Sequence, residues 1–141
     1  MDDSFRLSEK LPMDLTIVNP FLDKISGNIL ALAGSEEEVF KVKLALEEAL
    51  TNAMRHGNAL DPAKAVTVNI EAPREKIILN VHDEGQGFDF ADIPDPTSSD
   101  CANRPSGRGI FLMRKLMDEV EFYDAGSGIK MIKFFQRKEV D

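Results

Sequence analysis

The sequence predicts an α+β protein, a two-layer α/β sandwich in which a mixed, mostly antiparallel sheet carries helices on one face. Three observations lead there. Val66, Val68 and Ile70 alternate with polar residues, Ile77, Leu79 and Val81 alternate with Ile78, Asn80 and His82, and only Pro73-Arg74-Glu75 separates the two runs, which reads as a hairpin. A second pair of strands, 119–123 and 129–135, is joined by the turn-rich Ala125-Gly126-Ser127-Gly128. Apolar residues recur at helical spacing before the first pair and between the two. Neighbouring strands joined by short turns, not helical crossovers, argue against a doubly wound sheet.

Taken in order, Phe5 and Leu7 alternate with polar residues and predict a short first strand that turns at Leu11-Pro12. Asn19-Pro20 reads as an N-cap followed by proline at the first helical position, leading into Phe21, Ile25, Ile29 and Leu32. Gly34 ends that helix. Ser35-Glu36-Glu37-Glu38 is a capping box, with the serine hydroxyl accepting from the Glu38 NH and the Glu38 carboxylate returning to the Ser35 NH. It opens a long helix to about Gly57, whose apolar stripe is Val39, Val42, Leu46, Ala49, Leu50 and Ala53.

After the Asp61-Pro62 turn come the two hairpin strands. Residues 88–106 hold Pro94, Pro96 and Pro105 with little periodicity, and predict a long loop of the kind that forms either a mobile lid or a disordered segment. Ile110, Met113, Leu116 and Met117 then predict a helix that opens at Gly109. In the last strand the alternation slips between Met131 and Ile132, which calls for a bulge or a strand covered on both faces.

A chain of 141 residues, 43% hydrophobic, suits one domain spanning 1–141 with its own core. Its net charge of −8 argues against nucleic-acid binding through phosphate neutralisation and against an anionic membrane surface. Neither a signal-peptide pattern nor an apolar run of membrane-spanning length is present, and Cys101 is the only cysteine, so a soluble cytoplasmic protein is expected.

The chemistry lies in three segments. Glu48, Asn52 and His56 stand four residues apart on one helical face, which is either an exposed edge or the lining of a site. Asp83-Glu84-Gly85-Gln86-Gly87 and Gly107-Arg108-Gly109 follow. Glycines spaced one apart let main-chain NH groups approach a ligand, and a pair opening a helix aims those groups and the helix dipole at phosphate. A carboxylate before the first pair can accept from an exocyclic amine such as that of adenine. Together they read as a nucleotide site.

These segments, written out as Glu47-Glu48-Ala49-Leu50-Thr51-Asn52-Ala53, Asp83-Glu84-Gly85-Gln86-Gly87-Phe88 and Gly107-Arg108-Gly109-Ile110, resemble the N, G1 and G2 boxes of the GHKL ATPase superfamily. Within it the chain resembles the bacterial anti-sigma factor serine kinases, over about residues 4–136 and including Leu116-Met117-Asp118-Glu119-Val120. The resemblance implies a Bergerat-type, histidine-kinase-like ATPase domain using ATP and Mg²⁺. It implies a serine/threonine kinase that phosphorylates an anti-anti-sigma (STAS-domain) partner, and a homodimer that sequesters a sigma factor. By the same resemblance Glu48 is the general base, Asn52 coordinates Mg²⁺ and Asp83 reads adenine. Gly85 and Gly87 form the turn beneath the nucleotide, and Gly107 and Gly109 contact phosphate.

Phosphoryl transfer also calls for a cation near the γ-phosphate. Arg104 and Arg108 are candidates, the alternative being solvated arginines of the loop; Arg55 and His56 can border the site. The sequence has no P-loop, no HRD or DFG signature and no GxSxG elbow, Gly126-Ser127-Gly128 reading as a turn. An ATP-binding but non-catalytic interaction module is the alternative function.

Overall fold

The computed structural model describes residues 5–73, 75–85 and 105–135, the first four of the last stretch by their backbone alone. In chain order the elements are β1 (Phe5–Pro12), a 3-10 turn (Leu15–Ile17), α1 (Val18–Ala33), α2 (Glu36–Asn52), a π-helical turn (Ala53–Gly57), β2 (Ala65–Ala72), β3 (Lys76–His82), α3 (Pro105–Leu116), β4 (Glu119–Tyr123) and β5 (Gly128–Phe134). The strands form one sheet in the order β1-β2-β3-β5-β4. Every pairing among the described residues is antiparallel.

Val66, Val68, Ile70, Ile77, Leu79, Val81 and Met131 are buried on one face of the sheet, where they form a single core with Ile25 and Ile29 of α1, Leu46 and Leu50 of α2, and Met113 of α3. Burial of each such large aliphatic side chain stabilises the fold by about 1.5–3 kcal/mol. The helices therefore occupy that face. No helix among the described residues is long and apolar enough to cross a membrane.

Local chemistry accounts for the helix ends. Ser35 accepts from the Glu38 NH at 3.2 Å, as the capping box requires. The reciprocal bond is replaced: the Glu38 carboxylate turns to Lys41 and to Lys133, each at 3.4 Å, because a cation is a stronger partner than the Ser35 NH. Gly34 ends α1 in the left-handed conformation, φ 75°, and its NH reaches Leu30 O. The start of α1 differs from expectation. Asp14 caps the 3-10 turn through the Thr16 NH, so α1 begins at Val18 and Asn19-Pro20 lies inside its first turn. Proline is tolerated there because first-turn NH groups have no intrahelical acceptor.

β1 is longer than expected, pairing with β2 from Phe5 to Pro12. Pairing of β3 with β5 is unbroken from Lys76↔Phe134 to His82↔Gly128, so the slip in alternation is not a bulge. Ile132 lies opposite Ile78 on the face away from the helices. The mostly buried Lys133 takes the helix-side position, with Glu38 at 3.4 Å and Asp118 at 3.8 Å. An ion-paired lysine on the inner face thus reads in sequence as a change of phase.

α3 begins at Pro105, four residues before Gly109, and the remainder of the expected 88–106 loop lies outside the described residues. The long second helix passes from α to π geometry after Asn52, and Ala59 and Leu60 then adopt φ 52° and 56°. Left-handed geometry at a residue with a Cβ costs roughly 1–2 kcal/mol. Ala59→Gly is accordingly expected to raise stability by about 0.5–1 kcal/mol after the entropy of the added glycine is counted. Urea unfolding checks this, with a higher midpoint at unchanged slope as the expected result.

Candidate functional site

The site forms where α2 ends, β3 ends and α3 begins. Glu48 and Asn52 stand one turn apart on α2, and both side chains abut Gly109 of α3. A Cβ on Gly109 would lie 2.8 Å from Asn52 Nδ2 and 2.9 Å from Glu48 Oε2, so only glycine leaves the carboxylate and the amide where they are. Burial raises the Glu48 pKa, helped by the neighbouring charge of Glu47. That shift makes it a stronger proton acceptor than an ordinary surface carboxylate.

The early start of α3 separates the roles of its glycines. Gly107 lies in the first turn, where backbone NH groups have no intrahelical acceptor and can face an anion. Gly109 lies beyond that turn, and what it contributes is the space its missing side chain leaves for Glu48 and Asn52.

Asp83 is 5% exposed, at the end of β3, and its backbone NH donates to Ser127 O at 2.9 Å. Its Oδ1 accepts from the Gly85 NH at 2.8 Å, and no further partner of Oδ2 is found among the described residues. Burial pushes the Asp83 carboxyl up from the usual carboxylate range, against the pull of the Gly85 hydrogen bond and of the nearby charges of His82 and Lys64. Gly57 closes on this group from the π turn: a Cβ there would run into the Asp83 carboxylate, and one on Gly85 would run into Gly57 O.

One cavity runs between Asn52 and Asp83. Asn52, Asp83 and Ser127 give it polar atoms, and Ala53, Ile110 and Met113 give it apolar walls. Apolar walls with a few polar atoms are the kind of lining that heteroaromatic ligands favour. No group of three His, Cys, Asp or Glu that could hold a metal ion occurs among the described residues. A Mg²⁺ ion would be held by the Asn52 amide oxygen with phosphate and water oxygens, a donor set that suits a hard cation needing few protein ligands.

The structure thus brings Glu48, Asn52, Asp83, Gly85 and Gly109 together, with the backbone of Gly107 nearby. Gly87 and Arg104 lie outside the described residues, as does the side chain of Arg108. His56 is exposed at the cavity rim.

Residues 12–133 match the family described as Histidine kinase-like ATPase domain. The chain belongs to that family. It is 31% identical over 126 residues to the serine-protein kinase RsbW of Bacillus licheniformis, covering 83% of this chain and 78% of that protein. Against the serine-protein kinase RsbW of Bacillus subtilis strain 168 the identity is 30% over 139 residues, 94% of this chain and 87% of the relative. The serine-protein kinase RsbW of Listeria innocua is 30% identical over 124 residues. The chain thus groups with the serine-protein kinases of the histidine kinase-like ATPase family.

Two residues around this cavity escape a reading of the sequence. Ser127, 8% exposed, lines it beside Asp83, although Gly126-Ser127-Gly128 reads as a plain turn; the paired glycines were the available signal. Gly57 reads only as a helix end, and nothing local points to its contact with Asp83.

Proposed function

We propose that the protein is an ATP-dependent serine/threonine kinase acting as an anti-sigma regulatory factor. It phosphorylates an anti-anti-sigma (STAS-domain) partner and sequesters a sigma factor, working as a homodimer in the cytoplasm. The observation that carries this reading is the convergence of Glu48 and Asn52 on Gly109, which puts a carboxylate and a side-chain amide beside the second turn of α3, next to a first turn suited to phosphate. The relatives' shared name, serine-protein kinase, supports the choice of acceptor.

In this reading Asp83 Oδ2 accepts from the adenine amine, and the missing side chains of Gly57 and Gly85 let the two segments close on that carboxylate. The backbone NH groups of the first turn of α3, Gly107 among them, face the phosphates, with Arg104 and Arg108 as their cations; Gly85 and Gly87 form the turn beneath the nucleotide, and Gly109 leaves space for Glu48 and Asn52. Bound Mg²⁺ neutralises charge on the phosphate oxygens. Asn52 directs its amide oxygen to that ion. Glu48 takes the proton of the acceptor hydroxyl while the hydroxyl oxygen forms its bond to the γ-phosphorus and the bond to the ADP oxygen breaks. Positioning and charge neutralisation do most of the work in such a transfer.

The test recovers partners from lysate with ATP, ADP or no nucleotide, and then assays transfer of labelled γ-phosphate to what is recovered. A small STAS protein that becomes phosphorylated on serine or threonine, together with a sigma factor, is the expected result. ATP or ADP with Mg²⁺ should also raise the melting temperature, a ligand at about 100 times its Kd stabilising the native state by roughly 2.7 kcal/mol. Thermal stabilisation without transfer to any recovered partner would replace the kinase with a non-catalytic ATP-binding module.

A further inference from the structure

We propose that Asn58 is a positioning residue for base selection, fixing the distance between the π turn after Asn52 and the Asp83–Gly85 loop. The inference rests on Asp83 and Gly57 bordering the nucleotide base. Asn58 is fully buried, at 0% exposed, and lies immediately after Gly57. All of its polar groups are engaged. Its side-chain Oδ1 accepts from the Glu84 NH at 2.7 Å, while Nδ2 donates to Ala65 O at 2.9 Å and reaches Met13 Sδ at 3.4 Å. Its backbone NH reaches Ala53 O at 2.8 Å, and its backbone O accepts from the Asp61 NH at 3.0 Å.

These bonds join the π turn, the start of β2, the segment after β1 and the loop after β3. The decisive one is the bond to Glu84, which lies between Asp83 and Gly85. On one side of it the Asp83 carboxylate packs against Gly57; on the other, Gly85 packs against Gly57 O. Both approaches are so close that neither glycine has room for a Cβ. Residues 57 and 83–85 belong to different elements and share no strand ladder, so the Asn58 side chain is what sets their separation. Glu84 adds a second tie, its carboxylate accepting from the Ala65 NH at 2.5 Å. A shift of the loop would move the Asp83 carboxylate off the edge of the base while leaving Glu48 and Asn52 in place on α2.

Base selection is therefore the property that depends on Asn58. The probes are ATP and inosine 5′-triphosphate, which carries a carbonyl where adenine carries the exocyclic amine. In Asn58→Ser, affinity for ATP and the ATP-to-ITP preference should both fall roughly 10-fold, the scale of one lost buried hydrogen bond. Phosphate transfer at saturating ATP should stay within about twofold of wild type, so that KM changes and kcat does not. Glu84→Ala alters the same clamp from an exposed position, and should lower the ATP-to-ITP preference in the same direction by a smaller factor.

A folded Asn58→Ser protein with the wild-type preference would overturn the inference, leaving Asn58 a stabilising residue only. Should Asn58→Ser fail to fold, Glu84→Ala decides: a reduced preference supports the inference and an unchanged one overturns it. Wild-type protein that does not distinguish ATP from ITP sinks the Asp83 reading and this inference with it. Wild-type discrimination that both variants retain sinks this inference alone.

Discussion

Glu48→Gln should bind ATP with wild-type affinity and lose phosphate transfer by roughly 10² to 10⁴-fold, the usual scale of general-base catalysis. The substitution keeps the size and shape of the side chain, and so keeps its contact with Gly109. What it removes is a basic oxygen. Because the proposed base contacts, Asp83 and the cavity walls, do not involve Glu48, nucleotide affinity has no reason to change, and partner capture should also survive. Single-turnover transfer to the cognate partner, alongside titration of ATP binding, separates the two properties. Transfer at the wild-type rate would assign the proton to another acceptor and remove Glu48 from the chemistry.

Much of this arrangement was legible in the sequence because it is local. Gly34 and Ser35 announce one helix end and the next helix start within two residues, and the alternation in 66–71 and 77–82 fixes which side chains face the helices. The four-residue spacing of Glu48 and Asn52 likewise guarantees a shared face once the helix is granted. The errors came where a local signal was outbid by a neighbour. Asn19 has the chemistry of an N-cap, yet Asp14 had already ordered the chain into a turn that runs into α1. Lys133 breaks the apolar alternation of β5 because Glu38 and Asp118, distant in sequence, make a charged residue tolerable on the inner face.

The cavity itself was half legible for the same reason. Asp83 and the glycines stand out as a pattern, but the approach of Gly57 to Asp83, the place of Ser127 and the four-way bonding of Asn58 arise only when segments far apart in sequence are packed together. A buried asparagine looks in sequence like any loop asparagine.

Asp83→Asn should weaken ATP binding roughly 10- to 100-fold, as expected when a charge-assisted hydrogen bond worth about 1.5–3 kcal/mol is replaced by a neutral one, and yet should not destabilise the unliganded protein at neutral pH. The two effects have one cause. Burial raises the Asp83 pKa above the ordinary aspartate value of 3.8, so the folded chain holds this proton more tightly than the unfolded chain does. As pH rises from about 3.8 through the folded value, the unfolded state releases the proton first, and native stability falls. Above that window the ionised carboxylate is a standing cost of the unliganded fold, repaid when a donor from the nucleotide arrives. Asparagine carries no charge, and its Oδ1 can still accept from the Gly85 NH. Melting temperatures of wild type and variant, followed from about pH 3 to 8 without ligand, should therefore be closest at the acid end, with the variant equal or higher at pH 7. A variant that melts well below wild type at pH 7, and no worse at pH 3, would mean that the carboxylate is stabilised in the empty site, and that Asp83 serves the fold before it serves the base.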